Sequence, residues 1–553
     1  MLLMECSNIK KYFRDRLIVE IENLKIYSED RIGIVGVNGV GKTTFMNMMS
    51  QRLEPDEGWV KLYRKLAYIS QLGEPENKNI SSEMASKFGI SNTWDARMSG
   101  GEKTRFKVAQ GLEKDTPMIF ADEPTSNVDM EGIELMESRF EEYKGALLMI
   151  SHDRSFLDKL CNKILEIENG KIKIYHGNYS EYSVQKAEER ERKEFEYQQY
   201  TKKKKRLEEV IEGTKHKIKG TRNAPKRMGN SEARLHKMGN QKAKANLDRA
   251  VKNIEARIEH LEVKEKPKKQ EKIKLEVTDS SKVHSKIIIQ GENINKAFEE
   301  KIVFRQANFI IYNGAKIALI GSNGCGKSTL IKMIMEKDDA IKIAQGAKIG
   351  YFSQDMSILK EKCSIIENVM ESSMYDETYG RILLARLLFK REDIYKKVNI
   401  LSGGERVKVS FAKILLQDIN LLVLDEPTNY MDISSLEVIE EALKEYDRTL
   451  LLVSHDRSFV TSVADHIMTI ENHEIKMFQG NYQEYLTSKN KCPNNAKEEI
   501  EKEILVLQNR LTEVTGRLSM PSKKDDIAAL DKEYYEVLNQ LKKLKLHIRV
   551  EDE

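Results

Sequence analysis

Gly36-Val-Asn-Gly-Val-Gly-Lys-Thr43 and Gly321-Ser-Asn-Gly-Cys-Gly-Lys-Ser328 are two copies of one glycine-rich pattern. Each copy follows a short apolar run, residues 31–35 or 316–320, and leads into a helical pattern. In this context, backbone N–H groups wrap the phosphates of a nucleotide, the lysine reaches the terminal phosphates and the hydroxyl meets Mg²⁺. The sequence therefore predicts two nucleotide sites, one in each half of the chain.

Composition sets limits on the rest. A length of 553 residues, with 40% apolar and 33% charged side chains, suits a globular, helix-rich protein of about two to four domains. The five scattered cysteines form no Cys-x-x-Cys pair, which argues against disulfides, zinc ribbons and iron–sulfur clusters. The first residues lack the layout of a signal peptide, and no apolar run reaches about 18 residues. We expect a cytoplasmic protein with no membrane contact.

The repeat extends beyond the two loops. The offset is 285 residues from Lys42 to Lys327 and 283 from Gln71 to Gln354. Further on the offset is a constant 303, from Ser99 to Ser402, Asp122 to Asp425 and His152 to His455. Between the glutamine and the Ser-Gly-Gly motif, the first copy spans 28 residues and the second spans 48. A constant offset indicates a duplicated domain, because chance matches would drift.

Five motifs recur in each half, and together they resemble the ABC-F type of ATP-binding-cassette ATPase. Beside the phosphate loops, these are Tyr-Ile-Ser-Gln71 and Tyr-Phe-Ser-Gln354, Ser99-Gly-Gly-Glu and Ser402-Gly-Gly-Glu, Asp122-Glu-Pro and Asp425-Glu-Pro, and Ser151-His-Asp-Arg and Ser454-His-Asp-Arg. The resemblance implies an α/β fold in which two tandem ABC-type P-loop ATPase domains are joined by a long antiparallel α-helical hairpin linker, with a C-terminal helical hairpin. The predicted domains are 1–182 (first cassette), 183–285 (linker, with an extended tip around 213–240), 286–490 (second cassette) and 491–553 (C-terminal hairpin).

The resemblance also implies the site residues, with ATP and Mg²⁺ as ligands. The expected nucleotide-binding residues are Gly36, Asn38, Gly39, Gly41, Lys42, Thr43, Thr44, Gly321, Asn323, Gly324, Gly326, Lys327, Ser328 and Thr329, with the signature residues Ser99, Gly100, Gly101, Ser402, Gly403 and Gly404. The expected Mg²⁺ residues are Thr43, Gln71, Asp122, Ser328, Gln354 and Asp425. The expected catalytic residues are the general bases Glu123 and Glu426 and the switch histidines His152 and His455.

The chemistry of these residue types agrees with those roles. An aspartate at the end of an apolar strand can hold Mg²⁺, and the glutamate after it can polarise the attacking water. A signature serine at a helix N-terminus can clamp a phosphate with N–H groups. In the cassette family, the signature comes from the opposite domain. Site one would then pair Lys42 and Glu123 with Ser402, and site two Lys327 and Glu426 with Ser99. The alternative is a pair of structural nucleotide pockets without turnover.

Two features of the cassettes leave questions open. The segments Ser126-Asn-Val-Asp129 and Asn429-Tyr-Met-Asp432 stand where the family usually has Asn-His-Leu-Asp, which predicts altered communication between the sites. Phe13 and Phe298 stand where the family places an aromatic residue that stacks on adenine. A buried core phenylalanine is the alternative for both.

The linker predicts a helical hairpin. A first helix is expected from Ser180 to Glu212, followed by a stretch broken by glycines and a proline, and then a returning helix to about Pro267. The 4, 3, 4, 3 spacing of the returning arm indicates a coiled-coil seam, formed by Leu247, Val251, Ile254, Ile258 and Leu261, which Tyr200, Leu207 and Ile211 can face. An arm of about 33 helical residues would reach about 50 Å.

The charge of the linker indicates a polyanionic partner. Residues 186–275 hold 28 basic and 15 acidic side chains, a net charge of +13 on a chain of net charge +4. A solvated spacer is the alternative. In the ABC-F family this linker enters the exit site of the ribosome, here the 70S ribosome, beside the P-site tRNA and ribosomal RNA. The tip resembles the ribosome-protection members, which displace lincosamide, pleuromutilin and streptogramin A antibiotics. The expected tip contacts are Arg222, Lys226, Arg227, Met228 and Arg234.

Several functional classes remain as alternatives. A transporter's ATPase subunit would need membrane partners and would lack a basic hairpin between its cassettes. A DNA-repair cassette protein tends to carry zinc cysteines, which are absent from this sequence. A translation factor that relieves stalled ribosomes without a drug role is the nearest alternative. The short first-copy segment between Gln71 and Ser99 leaves no room for the arm subdomain typical of housekeeping members, which favours antibiotic resistance. We expect a monomer whose two cassettes pair within one chain.

The C-terminal segment carries less information. The spacing of its apolar residues predicts two antiparallel helices after Pro493. Residues 494–553 hold 11 basic and 13 acidic side chains, a net charge of −2, so a packing or partner surface is favoured over an RNA anchor.

Overall fold

The computed structural model describes residues 1–71, 73–220, 230–261, 264, 285–299, 301–353, 358–390, 392–428, 431–489 and 538. For residues 217–220, 230–244 and 301 it describes the backbone alone. The predicted C-terminal hairpin apart from residue 538, Gln354, the segment Asn429-Tyr430 and the tip residues 221–229 lie outside the described residues. So does the side chain of Arg234, whose backbone lies in a helix.

The first half alternates strands and helices. Its elements are β1 (Leu2–Phe13), β2 (Arg16–Tyr27), β3 (Arg31–Val35), α1 (Lys42–Met49), β4 (Glu57–Leu62), β5 (Ala67–Ile69), α2 (Ser82–Phe88), α3 (Gly100–Glu113), β6 (Met118–Asp122), α4 (Met130–Glu142), β7 (Ala146–Ile150), α5 (Arg154–Leu160), β8 (Lys163–Glu168) and β9 (Lys171–His176). They form one sheet in the order β4-β1-β2-β9-β8-β3-β7-β6-β5.

Two long helices follow, α6 (Tyr179–Gly220) and α7 (Asn230–Glu259). The second half then repeats the first, with β10 (Ile287–Phe298), β11 (Lys301–Tyr312), β12 (Lys316–Ile320), α8 (Lys327–Glu336), β13 (Ile341–Ile343), β14 (Ile349–Phe352), α9 (Ile365–Met370), α10 (Glu377–Arg386), α11 (Gly403–Leu415), β15 (Leu421–Asp425), α12 (Ile433–Glu445), β16 (Thr449–Val453), α13 (Arg457–Val463), β17 (His466–Glu471) and β18 (Glu474–Gln479). Short 3₁₀ turns at Asp393–Tyr395 and Val398–Ile400 precede α11.

The core of each half is a parallel sheet. In the first half, β3 lies between β7 and β8, and β6 and β5 continue the sheet beyond β7. In the second half, β12 lies between β16 and β17 in the same arrangement. The apolar runs predict these strands because both faces of a parallel sheet are covered, and β6, β7, β15 and β16 are buried along their whole length. The phosphate loops therefore sit at the carboxyl edge of β3 and β12.

The linker helices extend further towards the tip than the sequence predicts, and α7 ends at Glu259, before the predicted end near Pro267. We expected Gly213 and Gly239 to lie in the broken tip, but α6 runs through Gly213 and α7 runs through Gly239. One helical glycine costs only about 1 kcal/mol, so α6, which has no proline and whose other glycine is its last residue, continues past Gly213. At 1.5 Å per residue α6 is about 63 Å long, rather than the predicted 50 Å.

The two linker helices pack as an antiparallel pair. Lys215 pairs with Glu255 at 3.1 Å, and nearer the cassettes Lys264 pairs with Glu196 at 3.3 Å. Ile211 and Val251 are buried in the seam between the helices, as the spacing predicts. Within the described residues, no helix combines the length and the apolar character that crossing a bilayer requires.

Candidate functional site

The two phosphate-loop lysines are held in the same way. Lys42 and Lys327 are both buried at the first turn of α1 and α8. The Nζ atom of Lys42 donates to the carbonyl oxygen of Gly36 at 2.8 Å, and that of Lys327 donates to Gly321 at 2.7 Å. Each ammonium group is thus fixed at the mouth of its loop, where the terminal phosphates of a nucleotide are expected.

Glycine is required where each loop turns into its helix. Gly41 has φ +110°, and a Cβ atom there would lie 2.6 Å from Cγ2 of Ile18. Gly326 has φ +117°, and its Cβ atom would lie 2.5 Å from Cγ1 of Val303. Both the left-handed backbone and the close neighbour exclude a side chain. The turn of each loop into its helix therefore depends on glycine at this position.

A hydroxyl and a carboxylate meet beside each lysine. Thr43 lies beside Asp122, and Ser328 lies beside Asp425, where each hydroxyl opposes the rise in the pKa of the carboxyl. Burial raises the pKa of both aspartates, and Oδ1 of Asp122 is buried without a hydrogen-bond partner in the part of the chain that the structure describes. A hydroxyl and a carboxylate at one point are the oxygen donors that Mg²⁺ prefers, so the residues fit this ion. Gln71 lines the same cavity.

The glutamate after each aspartate adopts a strained backbone conformation. Glu123 and Glu426 both have φ +50°, in the left-handed region that is unfavourable for a residue with a side chain. Burial raises the pKa of each of these carboxyls to about 8. The Nε2 atom of His152 lies 3.1 Å from Glu123, and that of His455 lies 3.2 Å from Glu426. Burial, with a nearby lysine, lowers the histidine pKa values to about 3 and about 4, so both imidazoles are neutral.

Site two includes residues of the opposite cassette. The backbone N–H of Asn323 donates to Oδ2 of Asp129 at 2.9 Å, and its side-chain amide donates to the carbonyl of Asn127 at 3.1 Å. A Cβ atom on Gly101 would lie 3.1 Å from the same amide. The structure therefore places the first cassette's signature against the second cassette's phosphate loop.

Site one is completed in the mirrored way. The backbone N–H of Asn38 donates to Oδ2 of Asp432 at 3.1 Å, across the boundary between the cassettes. Asp432 also lies 3.3 Å from Lys408, within the buried interface. Arg105 occupies the position equivalent to Lys408, 303 residues earlier, and donates instead to the carbonyl of Phe88. The two sites thus differ in how this aspartate is held.

The signature motifs are helix caps as well as candidate phosphate clamps. Ser99 and Glu102 cap α3 reciprocally, as Ser402 and Glu405 cap α11. This capping box explains the Ser-x-x-Glu pattern by helix stability alone. Both helix N-termini nevertheless line the cavity between the cassettes, and a helix N-terminus favours an anion.

The structure excludes a buried core role for Phe13 and Phe298. The side chains of Phe13 and Phe298 are 52% and 54% exposed, so neither is a buried core residue. Both line the cavity that contains the phosphate loops.

Sequence reasoning missed a second set of contacts between the cassettes. Arg154, two residues after His152, forms an ion pair with Glu440 of the opposite half, and Arg457 forms one with Glu137. The 303-residue offset relates 154 to 457 and 137 to 440, so the repeat makes the two pairs equivalent, although it does not indicate which residues pair.

Family models agree with this architecture. A model described as "ABC transporter" matches residues 19–126 and 304–429, and a second one of the same description matches residues 165–246. Among solved structures, the archaeal ribosome recycling factor aABCE1, in complex with the ribosomal stalk protein aP1, superposes with a TM-score of 0.58 at 18% identity. That alignment covers 87% of this chain and 92% of the other, and it confirms the predicted α/β fold with two cassettes.

Curated relatives match along most of the chain. The ribosome protection protein VmlR of Bacillus subtilis is 29% identical over 98% of both chains. The erythromycin resistance ATP-binding protein MsrA of Staphylococcus epidermidis is 30% identical, over 83% of this chain and 96% of its own. ABC transporter F family member 5 of Arabidopsis thaliana is 28% identical, over 87% of this chain and 77% of its own. The chain therefore belongs to the ABC-F family of tandem ATP-binding-cassette proteins and is an ATP hydrolase.

Proposed function

We propose that this ATPase binds the ribosome when ATP closes its cassettes, and that its linker then enters the exit site beside the P-site tRNA. The tip extends towards the peptidyl transferase centre and promotes release of bound antibiotics of the lincosamide, pleuromutilin and streptogramin A classes. Hydrolysis allows the cassettes to open and the protein to dissociate. The partners are the 70S ribosome, its RNA and the tRNA, and the protein acts in the cytoplasm.

The observation that carries this proposal is the contact between the root of the arm, the first residues of α6, and the first cassette. The buried carboxylate of Glu166 accepts two hydrogen bonds from Nζ of Lys186 in α6, at 2.6 and 2.7 Å, and a third from the hydroxyl of Tyr182 at 2.9 Å. Glu166 belongs to β8, the strand next to β3. The arm is therefore bonded to the sheet that ends in the first phosphate loop.

The same root also reaches the second cassette. Tyr179 and Tyr182 pack in the core of the first cassette together with Ile433, the first residue of α12 in the opposite cassette. Burial raises the pKa of Glu437 in α12, and the charges of Arg154 and of Arg190 in α6 oppose this rise. A helix that touches both cassettes at its root must change direction when they separate. The open or closed state of the ATP sites is thereby linked to the direction in which the linker helices point.

Charge and relatedness support an RNA partner. Residues 201–250 hold 16 basic and 5 acidic side chains, which suits a strongly anionic surface. VmlR is named a ribosome protection protein and MsrA an erythromycin resistance protein, and both align with nearly their whole length. Arg222, Lys226, Arg227 and Arg234 are proposed to contact phosphates, and Met228 is proposed to contact an apolar surface.

The site residues are proposed to divide the work of hydrolysis as follows. Glu123 orients and deprotonates the attacking water, and His152, which lies beside it, contacts the γ-phosphate. In the second half Glu426 and His455 do the same. Mg²⁺ would be held by Thr43, Asp122 and Gln71 at site one, and by Ser328, Asp425 and Gln354 at site two. When bound, the ion neutralises charge on the phosphate oxygens.

The experiment is a drug-susceptibility panel on cells that express the chain with or without residues 222–234. We expect the intact chain to protect cells and the shortened chain, closed by a short glycine turn, to lose protection while purified ATPase activity persists. Protection that survives the deletion would show that the tip is a spacer. A substitution of Lys87 serves as the control, because its solvent-exposed pair with Glu83 lies within the first cassette.

The alternative function is relief of stalled translation by the same ribosome-bound ATPase, without a drug. Growth without drug after gene deletion separates the two functions. A growth defect favours general relief, and normal growth with lost drug tolerance favours resistance.

A further inference from the structure

The ion pairs between the cassettes form a reciprocal set in the middle of the interface. Arg154 opens α5 and pairs with Glu440 of α12, and Arg457 opens α13 and pairs with Glu137 of α4. The glutamate side chains are 8% and 2% exposed, and both arginines are 15% exposed. These are buried charges that find their partners on the opposite cassette.

A direct contact marks the centre of this set. The Oγ atoms of Ser155 and Ser458 lie 2.7 Å apart, although the residues are 303 positions apart in the chain. Because they are equivalent positions of the repeat, this contact lies on the approximate two-fold axis that relates the cassettes. The N-termini of α5 and α13 therefore meet at the axis when the cassettes are together.

One helix of the opposite cassette touches each ATP site at two points. The N-cap of α12, Asp432, accepts from the phosphate-loop N–H of Asn38, and Glu440 lies eight residues further along the same helix. Eight residues of helix span about 12 Å. Glu440 pairs there with Arg154, two residues after the switch histidine His152 of the same site.

The mirrored helix does the same for site two. The N-cap of α4, Asp129, accepts from Asn323 at 2.9 Å, and Glu137 pairs with Arg457, two residues after His455. At each site, one helix of the opposite cassette therefore contacts both the phosphate loop and the segment that follows the switch histidine. Any movement of the opposite cassette must reach both loops together.

We infer that Arg154 and Arg457 are positioning residues for ATP hydrolysis, each of which sets its own site's switch histidine in place when the opposite cassette arrives. A guanidinium group in this position keeps its charge at any physiological pH and makes directional bonds to a carboxylate. Separation of the cassettes leaves the arginine without its partner, and the loop that carries the histidine loses its external support. Closure and the geometry of the histidine are coupled by this contact.

The competing explanation is that the ion pairs only hold the cassettes together. The two explanations differ in which ATP site should slow when Arg154 is replaced. Arg154 should act on site one alone, whereas a pair that merely holds the cassettes together should affect both sites equally. The Arg154–Glu440 pair is the cleaner one to change, because Glu137 also pairs with Lys159 at 3.2 Å.

The test measures single-turnover phosphate release in two backgrounds. Glu426→Gln leaves only Glu123 as a base, and Glu123→Gln leaves only Glu426. In each background Arg154→Met is combined with Glu440→Leu, so that Glu440 is not left buried without its partner. We expect release to slow by about 10- to 100-fold in the first background and by less than about threefold in the second. Arg139→Met is the control, because Arg139 pairs with Glu142 inside one cassette.

Either of two results would overturn the inference. Equal slowing in both backgrounds would assign the pair to interface stability, and unchanged release in both would show that the histidine needs no such support. If the double substitution prevents folding, as judged by thermal unfolding, the isosteric Glu440→Gln is read in the same two backgrounds by the same criteria.

Discussion

Loss of the lysine that roots the arm should destabilise the first cassette and detach the arm. Lys186→Met leaves the carboxylate of Glu166 buried with only its tyrosine donors, the hydroxyls of Tyr182 and Tyr175 at 2.9 and 3.2 Å. Removing one partner of a buried ion pair costs about 3–5 kcal/mol, and we take about 3 kcal/mol because these donors remain. For a domain of this size, that corresponds to a fall in melting temperature of about 6–12 °C.

The assay is thermal unfolding of the full chain, followed by pelleting with ribosomes in the presence of ATP. Adding Glu166→Gln to Lys186→Met should restore much of the melting temperature, because the neutral amide accepts from one tyrosine through its oxygen and donates to the other through its NH₂ group. Lys215→Met is the matched control on α6, where an exposed pair is worth about 0–1 kcal/mol. If Lys186→Met lowers the melting temperature no more than this control, the arm is not rooted by Glu166 and the reasoning fails.

Three further changes test other parts of the structure. Gly41→Ala should weaken ATP binding by roughly 5- to 150-fold, because it adds backbone strain of about 1–3 kcal/mol, whereas Gly314→Ala, with open space around it, should leave binding unchanged in a fluorescent-nucleotide titration. Phe13→Ala should weaken ATP binding by about 1–3 kcal/mol if the exposed ring stacks on the base, and Phe13→Tyr should restore it; equal affinities for all three would remove the stacking role. Val251→Asp buries a charge between the two linker helices, so it should separate them and abolish ribosome pelleting while ATPase activity is retained. The control is Lys252→Asp at the exposed neighbouring position, which should not lower the helix signal in circular dichroism as Val251→Asp does.

The cassettes could be predicted from the sequence because their motifs are local. An apolar run, a glycine-rich loop and a lysine lie within about a dozen residues, and the constant offset from Asp122 to Asp425 repeats the argument independently. The seam of the arm was predictable for the same reason, since Val251 and its neighbours follow helical spacing. Such patterns can be recognised in the sequence because their residues lie close together in the chain and repeat with the period of a helix or a strand.

What the sequence could not supply depends on the surroundings of each residue. Gly213 predicted a helix break by its own propensity, but the helical residues on either side of it, which pack against α7, outweigh that preference. The exposure of Phe13 could not be read from its position at the end of a strand. The pair Arg154–Glu440 joins residues 286 positions apart, and only the closed arrangement of the cassettes brings them together.

The central claim is that clamping of two cassettes by ATP directs a basic arm into ribosomal RNA. The most direct measurement is pelleting of purified Glu123→Gln/Glu426→Gln protein with 70S ribosomes, lipid vesicles or an unrelated polyanion, with and without ATP. We predict strong pelleting with ribosomes that requires ATP and is lost when Lys42 and Lys327 are replaced by alanine. Protein that closes on ATP but shows no preference for ribosomes would contradict the account.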